Sequence, residues 1–361
     1  MQHGGRGWWL ALALLPALAC GGSDGVEDRQ ATLPVDPGEP AGVPPPVVHA
    51  PPVQLPVELL GPALGGPHAD VRDVSVDAGG GVWLAARSGL FVRPPGRRFA
   101  RLVTAAEGMP GAEPVAVGGL GPGVAVVGFA GGERPRLVRL AADETATVEE
   151  LPIDAAVRRI RAVEGMGLVA SGSGLTVLDE GGRIRGRRIP PEPAVELWDV
   201  AVTDAGDAWI GDRTRLLLLE GPVTASVAGR FRAAPDLVPG EDDAVVAVEV
   251  CPGGEVWASA LGHGIFRLSA EGRVRERLTA AEVLPQDHVT ALACDLDGSL
   301  WIGTSWGGLA RLLPDGTFRY HAATAGLPGD SIRRLVVAPD EAGGRTLWIA
   351  TEGGAASYAG P

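Results

Sequence analysis

Two stretches of this chain carry nearly the same message. "LDGSLWIGTSWGGLARL" (Leu296–Leu312) and "PGGEVWASALGHGIFRL" (Pro252–Leu268) each set out an Asp or Gly turn, an aromatic strand, a Gly-rich turn and a further strand. Trp83, Trp209, Trp257, Trp301 and Trp348 all follow such a turn, with 44 residues from Trp257 to Trp301 and 47 from Trp301 to Trp348. That spacing is the period of four-stranded propeller blades, and a unit of this size buries its apolar faces only by stacking on its neighbours. The 126 residues between Trp83 and Trp209 are about three periods. Two repeats without Trp fill that gap, within "PVAVGGLGPGVAVVGFAGGERPRLVRL" and "VRRIRAVEGMGLVASGSGLTVL". The count predicts an all-β chain: a seven-bladed β-propeller of four-stranded antiparallel blades over residues 53–361.

Composition agrees. The 54 Gly and 31 Pro suit short strands joined by tight turns, and no window sustains a helical period. Lys and Asn are absent, so every fixed cation is an Arg, and tight turns rest on Asp and Gly. A formal charge of -13 excludes a nucleic-acid binder that works through a concentrated basic field.

The two ends of the repeat region complement one another. At an offset of 261, "PVELLGPALGGPHADV" (Pro56–Val71) matches "TFRYHAATAGLPGDSI" (Thr317–Ile332), with Val57 over Phe318, Leu59 over Tyr320 and Gly65 over Gly326. The strand before the first repeat is thus a fourth strand lacking its first three, and the last repeat has three strands and lacks a fourth. Pairing them closes the ring and removes an exposed sheet edge, so Val53–Leu60 is expected to be the outer strand of the last blade.

The recurring "V…D.DG.LWIGT..GGL.RL…F..Y…GLP", best copied over His288–Leu313, resembles the two-component regulator propeller repeat. That family occurs in periplasmic sensor regions of bacterial hybrid histidine kinases and in shorter exported proteins. The resemblance implies the propeller fold and says little about function. No membrane span or transmitter follows the repeats in this sequence, so signalling through a kinase of its own is not expected.

Residues 1–20 combine Arg6 with the apolar run "WWLALALLPALAC", too short to span a bilayer but suited to a signal peptide. The run resembles the end of a bacterial lipoprotein signal, which implies lipidation at Cys20; the alternative is a plain secretory signal in which Cys20 is incidental. Gly21 and Gly22 present no acidic retention signal, so an exported, lipid-anchored envelope protein, sorted to an outer membrane, is expected. Residues 21–52, rich in Gly, Pro and acids, read as a disordered tether. Cys251 and Cys294 fall near the ends of the first strands of adjacent repeats; in an exported protein they are either a disulfide pair or two small buried residues.

The turns between second and third strands share one face of a propeller with the connections between blades. They present Arg87, Phe129, Ser173, Arg213, His263, Trp306 and Glu352, one per repeat. Trp306 offers a stacking surface for a sugar or peptide, and Arg213 a grip for a carboxylate. Arg87, His263 and Glu352 complete the candidate ligand-binding set, and His263 is also the candidate acid or base. The repeat tryptophans are expected in the core. The histidines form no metal-binding cluster, and "DLDG" at Asp295–Gly298 reads as a hairpin turn; no metal and no cofactor are expected. Two functions follow. One is a monomeric, non-catalytic binding or scaffold module for a glycan, peptide or envelope protein, attached to the membrane only through its lipid. The other is a lyase or hydrolase resembling the virginiamycin B lyase type, with His263 at the channel mouth.

Overall fold

The computed structural model describes residues 50–163, 165–190, 196–223, 230–237, 244–340 and 343–360. The expected signal peptide, Cys20 and most of the tether lie outside them. Among the described residues no helix is long and apolar enough to cross a membrane.

Each blade begins with an alternating strand, such as Val289–Cys294, whose fourth residue is apolar in all seven repeats: Val74, Val117, Ile160, Val200, Val248, Leu292 and Leu335. A tight Asp-Gly turn then reverses the chain. At Gly298 the backbone takes φ 84° and at Gly80 φ 86°, a left-handed conformation that only Gly adopts at no steric cost. The seven sheets each have four antiparallel strands in simple sequence order, except the last, where the N-terminal strand Glu58–Leu59 lies outside Gly354–Ala359. The two repeats that lack Trp are both complete blades, Pro114–Glu150 and Val157–Arg188.

One apolar cluster fills each gap between adjacent blades. Trp83, Trp209, Trp257, Trp301 and Trp348 are the wedges in five of these gaps, each between its own blade and the next, and each is at most 5% exposed. Burying an aromatic side chain of this size contributes roughly 2–3 kcal/mol. Three of the indole N–H groups are matched as well: Trp83 Nε1 donates to Asp77 at 2.8 Å, Trp257 Nε1 to Glu255 at 2.8 Å and Trp301 Nε1 to Asp295 at 3.3 Å. In the second and third blades Val126 and Leu168 occupy the corresponding strand position, opposite Gly118 and Arg161. Gly118 is needed there because a Cβ would lie 2.2 Å from Ile160 Cγ2 of the next blade.

The ring closes in the expected register. Leu59 pairs with Ala356 as Tyr320 pairs with Ala310 in the sixth blade, and both strands lead into one-turn helices, Pro62–Leu64 and Ala323–Ala325. The closing strand is shorter than expected, however. Only Glu58–Leu59 is strand, with Leu60 N–H extending the ladder to Ala355 O at 2.9 Å. Pro56 has no N–H to give a ladder and breaks it there. Residues 53–55 instead cross to the sixth blade: Val53 N–H donates to Tyr320 O at 2.7 Å, Val53 O meets His321 Nδ1 at 2.7 Å, and Leu55 is buried between the sixth and seventh blades. The N-terminal segment therefore fastens two blades.

Cys251 and Cys294 form a disulfide with Cα atoms 5.3 Å apart, tying the fifth blade to the sixth at the ends of their first strands.

Candidate functional site

The first strand of every blade borders the central channel, and every one carries the same irregularity. Its pairing with the second strand slips by one residue between the strand's first and third positions, at Val71/Asp73 and at the equivalent place in all seven sheets. Such a bulge inserts an unpaired residue and re-aims its side chain, so two consecutive residues turn toward the axis. The inserted residues are Arg72, Val115, Arg158, Trp198, Val246, Thr290 and Arg333. All seven line an open cavity of about 1010 Å³ at the channel mouth.

Arg213 and Trp306, two of the five ligand-binding candidates, line the same cavity, with Glu196, Arg159, Ser305 and Ser331. Arg213 is carried on a turn fixed by Asp212, whose Oδ1 accepts the N–H groups of Thr214 and Arg215, each at 2.7 Å. Arg213 itself is exposed and has no hydrogen-bond or ion-pair partner among the described residues. Trp306 is 68% exposed, yet its turn is tied down by hydrogen bonds. Its N–H donates to Gln286 Oε1 at 3.1 Å, Thr304 Oγ1 accepts Gly307 N–H at 2.9 Å, and the His288 ring lies 5.6 Å from the indole. Gly308 permits this turn, since a Cβ there would come within 2.3 Å of His321 O.

The other three candidates do not line the cavity. Arg87 is paired on the outer side of the first blade with Glu113, 3.2 Å away. Glu352 is spent on backbone, its Oε2 accepting Ser331 N–H at 2.8 Å. His263, on the turn of the fifth blade, accepts Arg277 Nε–H through its carbonyl at 3.1 Å. Asp295, the first residue of "DLDG", opens a hairpin turn, its N–H donating to Ser299 O at 2.8 Å and its carbonyl accepting Gly298 N–H at 3.1 Å, while its carboxylate faces Arg345 at 2.8 Å. Among the described residues no group of three or more His, Cys, Asp or Glu is arranged to hold a metal.

Directly beneath the mouth lies a second ring, from the third residues of the first strands. Asp73 and Asp199 face Arg159 and Arg334 in a closed four-membered circuit across the channel, with contacts of 3.5, 3.3, 3.5 and 3.9 Å. Both carboxylates also clamp neighbouring blades. Asp73 accepts Val74 N–H and, from the next blade, Val117 N–H at 3.0 Å; Asp199 accepts Val200 N–H and Val248 N–H at 3.1 Å. Burial raises the Asp73 carboxyl above its ordinary value and pulls Arg334 down to about 10, still protonated near neutral pH. Arg161 and Glu249 pair at 2.7 Å on the far side. Arg159 lines the mouth, whereas Arg334, Arg161 and Glu249 line a smaller cavity of about 350 Å³ at the opposite end. The charge circuit thus separates the two cavities and gives the mouth a floor.

Sequence reasoning found the turns and missed the strands. Arg72, Arg158, Trp198 and Arg333 sit where simple alternation assigns one channel residue per strand. A charged or aromatic pair at consecutive positions, as in "RR" at Arg158–Arg159, "WD" at Trp198–Asp199 and "RR" at Arg333–Arg334, is the signal that could have revealed the bulge.

No family model matches the chain, and no curated protein matches it. Solved structures do. A protein described as the extracellular domain of a hybrid two-component system, BT4673 from B. thetaiotaomicron, superposes with a TM-score of 0.63 at 18% identity, over 84% of this chain and 40% of that one. This chain therefore spans well under half of that relative. Virginiamycin B lyase from Staphylococcus aureus gives a TM-score of 0.63 at 15% identity, covering 85% of this chain and 99% of the lyase; a catalytically inactive histidine-to-alanine form of the lyase was crystallised with quinupristin. YCF48 bound to a peptide gives 0.58 at 14% identity, over 88% of this chain and 99% of that one. At these identities the likeness is one of fold: the chain is a seven-bladed β-propeller of the architecture found in extracellular domains of hybrid two-component systems.

Proposed function

We propose that this protein is an exported, lipid-anchored binding module whose ligand site is the mouth of the propeller channel. The observation that carries the reading is the cavity of about 1010 Å³ to which all seven blades contribute an inserted residue, floored by a charge circuit and rimmed by Trp306 and Arg213. Concave sites with a few fixed polar groups and aromatic walls are where propellers and other rigid scaffolds take ligands. The neighbours lend support, since two-component ectodomains face the cell exterior and YCF48 was solved with a peptide. The ligand classes are a glycan, a peptide or a second envelope protein.

Nothing in the mouth favours the lyase reading. Among the described residues its lining contains no histidine, and the one carboxylate there, Glu196, is engaged by Arg158. General base catalysis needs a proton acceptor within reach of the bound molecule.

The test is capture of envelope components by the full chain, compared with Trp306→Ala and Arg213→Ala forms. Loss of capture in either variant is expected; equal capture by all three removes the mouth as the site. Anchoring is tested separately by incorporation of labelled palmitate, expected in the native chain and lost in Cys20→Ser.

A further inference from the structure

An acidic protein has concentrated arginine in one place. Among the described residues five arginines line the channel mouth, Arg72, Arg158, Arg159, Arg213 and Arg333, against one acid, Glu196, in a chain with a formal charge of -13. Their partners draw them in different directions. Arg158 lies over the Trp198 ring, 4.7 Å from its centroid, and is paired with Glu196. Arg72 and Arg333 are anchored from outside by Asp70 and Glu113, at 2.7 Å for Arg72 to Glu113 and 3.0 Å for Arg333 to Asp70. Glu113 is also shared with Arg87, and Asp73 and Asp199 are shared between Arg159 and Arg334. The connected set therefore holds fewer carboxylates than guanidinium groups.

Two of the five retain donors with nothing to give them to. Arg213 has no partner among the described residues. Arg159 is 8% exposed; its Nη1 gives one long hydrogen bond to Asp73 at 3.5 Å, and its buried Nε, 3.3 Å from Asp199, has no hydrogen-bond partner among the described residues. A cation whose stem is buried and whose unmatched donors belong to a cavity lining is costly unless an acceptor arrives, and a carboxylate is the acceptor whose geometry fits a guanidinium. Trp306 and Trp198 supply flat apolar walls in the same cavity.

We infer that the channel mouth is an anion site that takes a carboxylate-bearing ligand with a flat apolar face, its carboxylate on Arg159 and Arg213 and its ring against a mouth tryptophan. The inference rests on the reading of the mouth as the ligand site and adds the ligand's chemistry to it. Arg159 acts as the fixed floor contact, held upright by Asp73 and Asp199, and Arg213 as the rim contact.

The experiment is isothermal titration of the full chain with 2-naphthoate and its neutral counterpart 2-naphthamide. Naphthoate is expected to bind about tenfold more tightly than the amide, a difference typical of one charge-assisted contact. Arg213→Ala should remove most of that preference, Arg213→Lys should keep part of it, and Trp306→Ala should weaken both probes. Added NaCl should weaken naphthoate alone. Arg213 is exposed and unpaired, so these variants keep the fold, and a thermal melt identical to the native chain checks that. Equal binding of acid and amide, indifference of naphthoate binding to Arg213→Ala, or no binding of naphthoate overturns the inference. If envelope capture still depends on Trp306 in that case, the binding reading stands with a neutral ligand; if capture is indifferent too, both fall.

Discussion

The mouth and the floor of the channel are built from neighbouring residues on the same seven strands, yet they serve different ends. Floor residues are paired with one another: Asp73, Arg159, Asp199 and Arg334 close a circuit of ion contacts, and the two carboxylates also take backbone N–H groups from the next blades. Mouth residues satisfy one another incompletely and face solvent, with Arg213 free among the described residues and Trp306 68% exposed. One residue of chain separates a ring that holds the propeller together from a ring that can meet a ligand. A bulge makes this possible, because it lets adjacent side chains share the channel face without sharing a height.

The largest expected effect is at the floor. Asp199→Ala strips Arg159 and Arg334 of a carboxylate and leaves Val200 and Val248 N–H without an acceptor, so unfolding in denaturant should show a loss of about 3–5 kcal/mol. Asp199→Asn, which keeps an acceptor for Val200 and Val248 N–H, should cost less than Asp199→Ala. A single mutant that costs no more than a surface substitution would break the distinction between the rings.

Next comes the covalent tie below the floor. Cys251→Ser with Cys294→Ser opens a loop of 43 residues and should lower stability by about 2–4 kcal/mol. The loss should appear equally in the native chain after reduction, read by thermal melting.

A smaller effect is expected at the outer rim. Glu107 is held by Arg101 at 2.6 Å and accepts the N–H groups of Thr104 and, from the second blade, Ala146 at 3.0 Å. The Arg101 hydrogen bond, with those backbone donors, lowers its pKa from 4.5 to about 2. A depressed acid adds stability that is complete above the unfolded value and is lost as pH falls through the folded one. Glu107→Gln should therefore cost on the order of 1 kcal/mol at neutral pH and flatten the decline in stability as pH drops from 4.5 toward about 2. Asp73 works in the opposite sense, since burial raises its pKa and favours the protonated form in the fold. Asp73→Asn should accordingly reduce any loss of stability on raising pH through the range above 3.8, measured by melts across pH.

The smallest effect on stability is at the mouth. Arg213→Ala should change the unfolding free energy by no more than about 0.5 kcal/mol, as befits an exposed side chain without partners. A loss comparable with that of Asp199→Ala would mean the mouth is structural after all, and the contrast between the rings would vanish.

Much of the architecture could be read directly from the chain. A recurring Trp after an Asp or Gly turn gave the blade period, the gap between Trp83 and Trp209 gave two further blades, and the offset of 261 placed Leu59 over Tyr320, the equivalent place in the sixth blade. These are local statements about turns, alternation and self-similarity, and the fold repeats them seven times. The length of the closing strand was less legible, because residues 53–55 gain more by bonding to the sixth blade than by extending a ladder that Pro56 interrupts. Of the proposed site residues, Arg213 and Trp306 meet at the mouth, while Arg87, His263 and Glu352 sit on the same class of turn but outside the cavity.

What the sequence determined by itself was the repeat: where the turns fall, which residues wedge the blades, and how the ends meet. Which side chains converge on the axis was decided only by the tertiary structure. A bulge shifts side-chain direction without any change in the apolar pattern that specifies the strand, and closure brings together residues as far apart in sequence as Asp73 and Arg334. Short-range preferences encode the blade, whereas the charge circuit and the cationic mouth exist only once seven blades have been drawn into a ring.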